Sequence, residues 1–437
     1  MKKSTALLVS VLLVLSVAVW ASGQQDNSSS GKTVVIKVKN FGSDKDAEAY
    51  HAAYLKYQEA HPNVQITDTF VPIGTWREYT AKTLAEAAAG QAPDILALAS
   101  ESIRQIHSVD LLASLDDYIK NDKDASAMLD DISPTLRNGF VLGGKVWAIP
   151  SFWNGIYAYY NTDLWKQAGL ATPTKDFTWD DLRAAAKKIT KRDSSGNTTV
   201  WGFAPDMWLN GLSSWVYSNG SDLLTNDMTK SNLKDPKVAE AFQFIADLIN
   251  VDKTMPRPDA DANANGQSWT NLFANGKLGI IYGGHQYTQV FMANNFSNYD
   301  VIRIATNGSH TSSYGCAAFS ITKSSKNKQV AWDIIKALVS VPVQTLQSSQ
   351  GTSIPSRRSV CAGAAFLKWP KNAGLFYGLL DEPDGFKPVT APVNYTEFEA
   401  IMYRYVNQVF AGSMSASEAM VKADAEIVQA LARSKGN

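Results

Sequence analysis

The stretch PDILALAS, Pro93–Ser100, decides the fold. Its Ile95–Ala99 core is an unbroken apolar run, which suits a strand covered on both faces of a parallel sheet. Upstream, TVVIKVKN (Thr33–Asn40) is β-branched and VQITDTF (Val64–Phe70) supplies another strand. Between them, Ala47, Tyr50, Tyr54 and Tyr57 recur at helical spacing until His61-Pro62. WREYTAKTLAEAAAG (Trp76–Gly90) is a second helix, closed by its C-terminal glycine. Strand, helix, strand, helix, strand is the βαβαβ order of an α/β lobe. In such sheets ligands sit beyond the carboxyl ends of the strands, which nominates the loops NFGSDKD, ASES and, further on, GGHQYT.

A chain of 437 residues exceeds what one hydrophobic core supports, so two lobes are expected. The 41 basic and 41 acidic residues cancel, leaving no bulk field for nucleic acid or an anionic membrane. At the N-terminus, Lys2 and Lys3 precede the apolar run Ala6–Trp20 and the small residues Ala21–Gly23. This is the pattern of a secretory signal peptide over residues 1–21, with cleavage after Ala21 or Gly23, followed by a disordered leader over 22–32. Removing two lysines takes the mature charge to 39 − 41 = −2. No cysteine precedes Cys316, so no lipid-attachment cysteine exists, and the expected location is periplasmic or extracellular. Cys316 and Cys361 either pair in that oxidising compartment or remain separate buried thiols.

A second region opens near GGKVWAIP (Gly143–Pro150). Thr178 and Asp181 form a capping box, and Asp235 caps a helix that begins at Pro236. GKLGIIYGGHQ (Gly276–Gln286) is a buried strand that runs into a glycine pair. Ala317–Ser340 reads as strand, turn and helix. Two terminal helices each open on a Ser or Thr with Glu three residues on, at Thr396–Glu399 and Ser415–Glu418.

Taken in order, AGQAPDILAL, LLASLDDYI, GGKVWAIPSFWNGIYAYYNTDLWKQAGL, ANGKLGIIYGGHQ, SKNKQVAWDIIKAL and QGTSIPSRRSV resemble the family 1 extracellular solute-binding proteins of ABC importers, the maltose-binding-protein-like group. The resemblance spans nearly all of the mature chain. It implies an α/β, two-lobed periplasmic-binding-protein fold (type II-like) with a hinge and an inter-lobe ligand cleft. It further implies capture of a mono- or oligosaccharide, delivery to ABC transporter membrane permease subunits, no cofactor, and a monomeric binder. Lobe 1 is expected at about 33–146 plus 305–350, and lobe 2 at about 147–304 plus 351–437.

The resemblance also carries site residues over, each beside a structural alternative. Asp44 is either a polar contact after the first strand or a helix cap. Glu101 falls where the family often has a ligand-binding acid. In PSFWNGIYAYYN, Asn154 takes the place of a polar contact and Trp153 either stacks or packs, while Tyr157, Tyr159 and Tyr160 read as core. Trp208 and Asn210 lie in the second lobe's main binding segment; Trp215 fits helix core. The family commonly has a tryptophan just after the GG pair, where this chain has His285, followed by Gln286. Tyr314 is placed to close over ligand, Arg357 to reach the cleft, and Trp76 to stack near it.

Sugars suit such a set, because rings cover their C–H faces while amides, carboxylates and guanidinium bond hydroxyl pairs. A secreted carbohydrate-active hydrolase is the alternative, with Glu101 and Asp206 as candidate paired carboxylates. No G-x-S-x-G, H-E-x-x-H or P-loop spacing occurs, no histidine has another four residues away, and no metal ligand set is present. Few acids in the nominated loops argue against a polyamine, and a single arginine argues against a phosphate ester.

Overall fold

The computed structural model describes residues 33–72, 74–258, 268–368 and 370–433. The expected signal peptide and leader lie outside the described residues. Two sheets organise the chain. The larger has seven strands; its main path runs 354–355, 149–155, 312–321, 95–99, 34–42, 64–72, and Phe386–Pro388 pairs with Ser312–Ile321. Val34–Gly42 is parallel to both Val64–Pro72 and Ile95–Ala99. That places the first three strands in 2-1-3 order, with a topological switch point beside the carboxyl end of the first. The apolar run at Ile95–Ala99 is buried at every position, as a strand covered by helices on both faces requires.

The smaller sheet runs 299–302, 157–161, 278–283, 198–204, 191–192. Leu278–Gly283 is parallel to Thr198–Ala204, so their carboxyl ends point the same way. Tyr157, Tyr159 and Tyr160 are core, and Trp215 is buried between Trp179 and Tyr282.

The chain passes between the sheets at three places, and the passing segments touch. Ile149–Gly155 belongs to the larger sheet and Tyr157–Asn161 to the smaller. Tyr299–Ile302 and Ser312–Ile321 form the return pair, and Phe386–Pro388 leads to the helix Tyr395–Phe410. At the crossing the Ile156 N–H donates to Ser313 O at 3.0 Å, and the Val389 N–H donates to Tyr314 O at 2.9 Å. Pairing into the larger sheet draws 149–155, 354–355 and 386–388 away from the second lobe, to which the expected boundaries had assigned them.

Local signals mostly act as read. Gly90 follows Trp76–Ala88 at φ +74°, while Ser43, in a capping box with Asp46, and Thr75 are caps the sequence reading did not name. The Thr178–Asp181 box and the Asp235 cap are present. Ser415 caps Ala416–Arg433 through Glu418 N–H at 3.3 Å. The Thr396–Glu399 box is not formed. The helix already begins at Tyr395, and Glu399 turns inward to pair with Arg77 at 3.2 Å. Cys316 and Cys361 are both free, buried thiols, each donating to a backbone carbonyl, so the separate-thiol alternative holds.

Candidate functional site

The carboxyl ends of parallel strands from both sheets meet at a cavity of about 130 Å³. Pockets that hold drug-sized ligands measure roughly 300–1,000 Å³, so this cavity is small beside them.

One wall comes from the larger sheet. Trp76 is the first residue of its helix, and its ring lies 4.3 Å from Phe41 and edge-on to Tyr79. Glu101 leaves the end of Ile95–Ala99, beside the switch point. Its Oε2 accepts from Ser100 Oγ at 2.8 Å, and Ser100 Oγ accepts from the Cys316 N–H at 3.0 Å. The carboxylate is thereby tied to the return strand. A Cβ at Gly315 would lie 2.5 Å from Glu101 Oε1, so a larger residue there would push the carboxylate aside.

The opposite wall comes from the smaller sheet. Past Thr198–Ala204, Asp206 Oδ1 accepts from the Trp208 N–H at 2.9 Å and so holds the entry to the helix Leu209–Ser218. A Cβ at Gly211 would come within 2.3 Å of Asp206 O, which keeps the turn tight. Trp208 stands 46% exposed at the rim. Asn210 Oδ1 accepts from Ser313 Oγ, which joins this wall to the return strand. Gln286 enters from the loop after Leu278–Gly283.

The floor is the crossing strand. Phe152 and Asn154, two residues apart on one face, and the deeply buried Trp153 border the cavity. Asn154 bridges the sheets: its Oδ1 accepts from the His285 N–H at 3.0 Å and its Nδ2 donates to Ser353 Oγ at 3.3 Å. Trp153 is edge-on to Tyr314, Tyr377 and Phe386, and its indole N–H has no partner.

Electrostatically the cavity is acidic. Burial pushes Glu101 up to about 7, against the bond from Ser100, with Glu399 adding like charge. Burial pushes Asp206 up to about 7 as well, against the bond from Trp208. Neither carboxylate forms an ion pair among the described residues, and no lysine or arginine borders the cavity.

Seven of the expected site residues therefore come together: Trp76, Glu101, Trp153, Asn154, Trp208, Asn210 and Gln286. Four do not. Asp44 is exposed in the first turn of its helix, and Ser43 takes the cap. His285 is buried, stacked 5.2 Å from Phe366 and edge-on to Phe376 at 4.8 Å; burial lowers its pKa to about 3, so it is neutral. It faces a separate cavity of about 670 Å³. Tyr314 is buried against Trp153, and its hydroxyl donates to Thr135 O at 2.8 Å, which makes it a support of the floor rather than a cover. Arg357 turns away from the cleft: Nε donates to Val339 O at 3.0 Å and an Nη to Met128 O at 3.1 Å, satisfying carbonyls on the far side.

Sequence reasoning left out Phe152 and the Gly315–Ala317 edge, and it raised Asp206 only as an enzymic carboxylate. For Asp206 the signal was available: it lies just past a strand end, two residues before Trp208. For the Gly315–Ala317 edge no signal exists, because backbone contributes it through strand pairing. Among the described residues no group of three His, Cys, Asp or Glu is placed to hold a metal ion, and no helix is long and apolar enough to cross a membrane.

Comparison with known proteins agrees with this architecture. A model of the bacterial extracellular solute-binding protein family matches residues 42–345. A binding protein of Brucella abortus is 25% identical over 309 residues, 68% of this chain and 69% of its own. The diacetylchitobiose binding protein DasA of Streptomyces coelicolor is 24% identical over 263 residues, 58% of this chain and 55% of its own. Among solved structures, an ABC substrate-binding protein of Listeria monocytogenes in complex with cycloalternan superposes with a TM-score of 0.81 at 21% identity, covering 92% of this chain and 100% of that one. At that identity the likeness shows the fold.

Proposed function

Since the chain belongs to the bacterial extracellular solute-binding protein family, we propose that it captures a mono- or oligosaccharide between its two sheets and presents it to the membrane permease subunits of an ABC transporter. The observation that carries this is the composition of the cleft. Two indole rings, Trp76 and Trp208, border the same cavity as Asn210, Gln286, Glu101 and Asp206. Rings that cover C–H faces and polar groups that bond hydroxyls are what a sugar requires. The sugars named for the matched proteins, diacetylchitobiose and cycloalternan, accord with that class.

In this reading lobe 1 carries the larger sheet and lobe 2 the smaller, with the hinge at the three crossings near Ile156, 303–311 and 389–394. The hinge strands are hydrogen-bonded to one another, so the lobes rotate as units about them. The protein acts outside the cytoplasmic membrane as an exported monomer, and it binds without turnover. Paired carboxylates on one cavity are also what a glycosidase needs, which makes product analysis part of the test. Calorimetry against a sugar panel, followed by chromatography of the same mixtures, is the experiment. Saturable binding with intact ligand is expected; hydrolysed ligand would replace the transport reading with the enzymic one.

A further inference from the structure

Glu101 and Asp206 face one cavity from opposite walls, and neither is paired with a cation among the described residues. An ionised carboxylate withdrawn from water is costly unless a counter-charge or several donors compensate it. The neighbouring positive groups are engaged elsewhere. Arg77 pairs with Glu399 at 3.2 Å, which itself adds negative charge near Glu101. Arg357 is spent on backbone carbonyls on the far side. The one histidine close to the cleft, His285, is buried and neutral.

We propose that the saccharide taken by this cleft is an aminated one, whose ammonium group seats between Glu101 and Asp206. The inference rests on the reading of the cavity as a sugar cleft and adds the charge of its occupant. Hydroxyls alone could donate to both carboxylates but would leave two like charges buried together. An ammonium supplies three donors and the missing counter-charge at once. A further observation points the same way. Trp76 and Trp208 border the cavity, and indole rings attract a cation as well as C–H groups. Asp206 is also held by the Trp208 N–H, so its position is set before ligand arrives. The scarcity of acids along the sequence is misleading here, because folding gathers the two that matter.

The test is calorimetry on the full mature chain at pH 7.5 with sugars differing at one group. The probes are glucosamine, N-acetylglucosamine and glucose, together with the β1→4 dimers of glucosamine and of N-acetylglucosamine. At least one aminated sugar is expected to bind about tenfold or more tighter than its acetylated counterpart, a difference of about 1.4 kcal/mol. Glu101→Gln and Asp206→Asn should each lower the affinity for the aminated sugar by a larger factor than that for its acetylated counterpart, so that most of the preference disappears, with circular dichroism confirming the fold. Equal or tighter binding of the neutral sugars overturns the proposal and leaves the sugar cleft standing. So does a preference that survives in both variants. Absence of binding by all five probes overturns the proposal, and the wider sugar panel then decides the cleft reading by itself.

Discussion

Replacing Glu101 by Gln tests the electrostatics of the cleft without any ligand. Burial raises the folded-state pKa of Glu101 from 4.5 to about 7. The folded protein therefore takes up a proton in the window between those values, and its stability is full below about pH 4.5 and falls as the pH rises through 7. At about 1.4 kcal/mol per pH unit, holding the ionised form costs about 3 kcal/mol at pH 8 and under 1 kcal/mol at pH 5. An amide carries no charge, so Glu101→Gln should gain about 2.5 kcal/mol over wild type between pH 5 and pH 8. With an unfolding entropy near 2 cal/mol/K per residue, that is about 3 °C in Tm for a chain of this size. Opening the cleft hydrates the same carboxylate, so the wild type at pH 8 should also expand relative to the variant. The assay is differential scanning calorimetry with small-angle scattering, from pH 5 to 8.5, on protein unfolded and refolded to strip copurified solute. A Tm difference and a scattering profile that are both flat with pH would refute the reasoning. Asp206→Asn should behave alike, since its pKa also rises to about 7 and asparagine can still accept from the Trp208 N–H.

Trp208→Ala should weaken sugar binding about tenfold by removing a stacking face, yet leave Tm nearly unchanged, because the ring is 46% exposed; titration calorimetry and a thermal melt separate the two. Arg357→Ala should do the opposite, destabilising by about 2–4 kcal/mol through orphaned carbonyls and lost packing, with affinity intact in the same titration. Burial raises both thiols, so Cys316 and Cys361 should be inert to a disulfide reagent in the native protein, and two thiols per chain should react in guanidinium without reductant.

The sequence alone determined the class of fold and most of the cleft. Strand ends are legible because an apolar run stops and polar residues follow, so the loops that hold Glu101 and Gln286 could be nominated from the chain, while the family resemblance supplied Trp208 and Asn210. The resemblance likewise singles out Asn154 from the packing tyrosines that follow. Tertiary structure decided what depends on pairing between distant segments. The resemblance placed Arg357 to reach the cleft, but the carbonyls of Val339 and Met128 claim its donors. His285 occupies a ligand-facing place by spacing, yet Phe366 and Phe376 close over it from another part of the chain. Asp206 shows the converse. Its carboxylate gains meaning only when folding sets it on the same cavity as Glu101, since burial and charge compensation are properties of surroundings that no local pattern encodes.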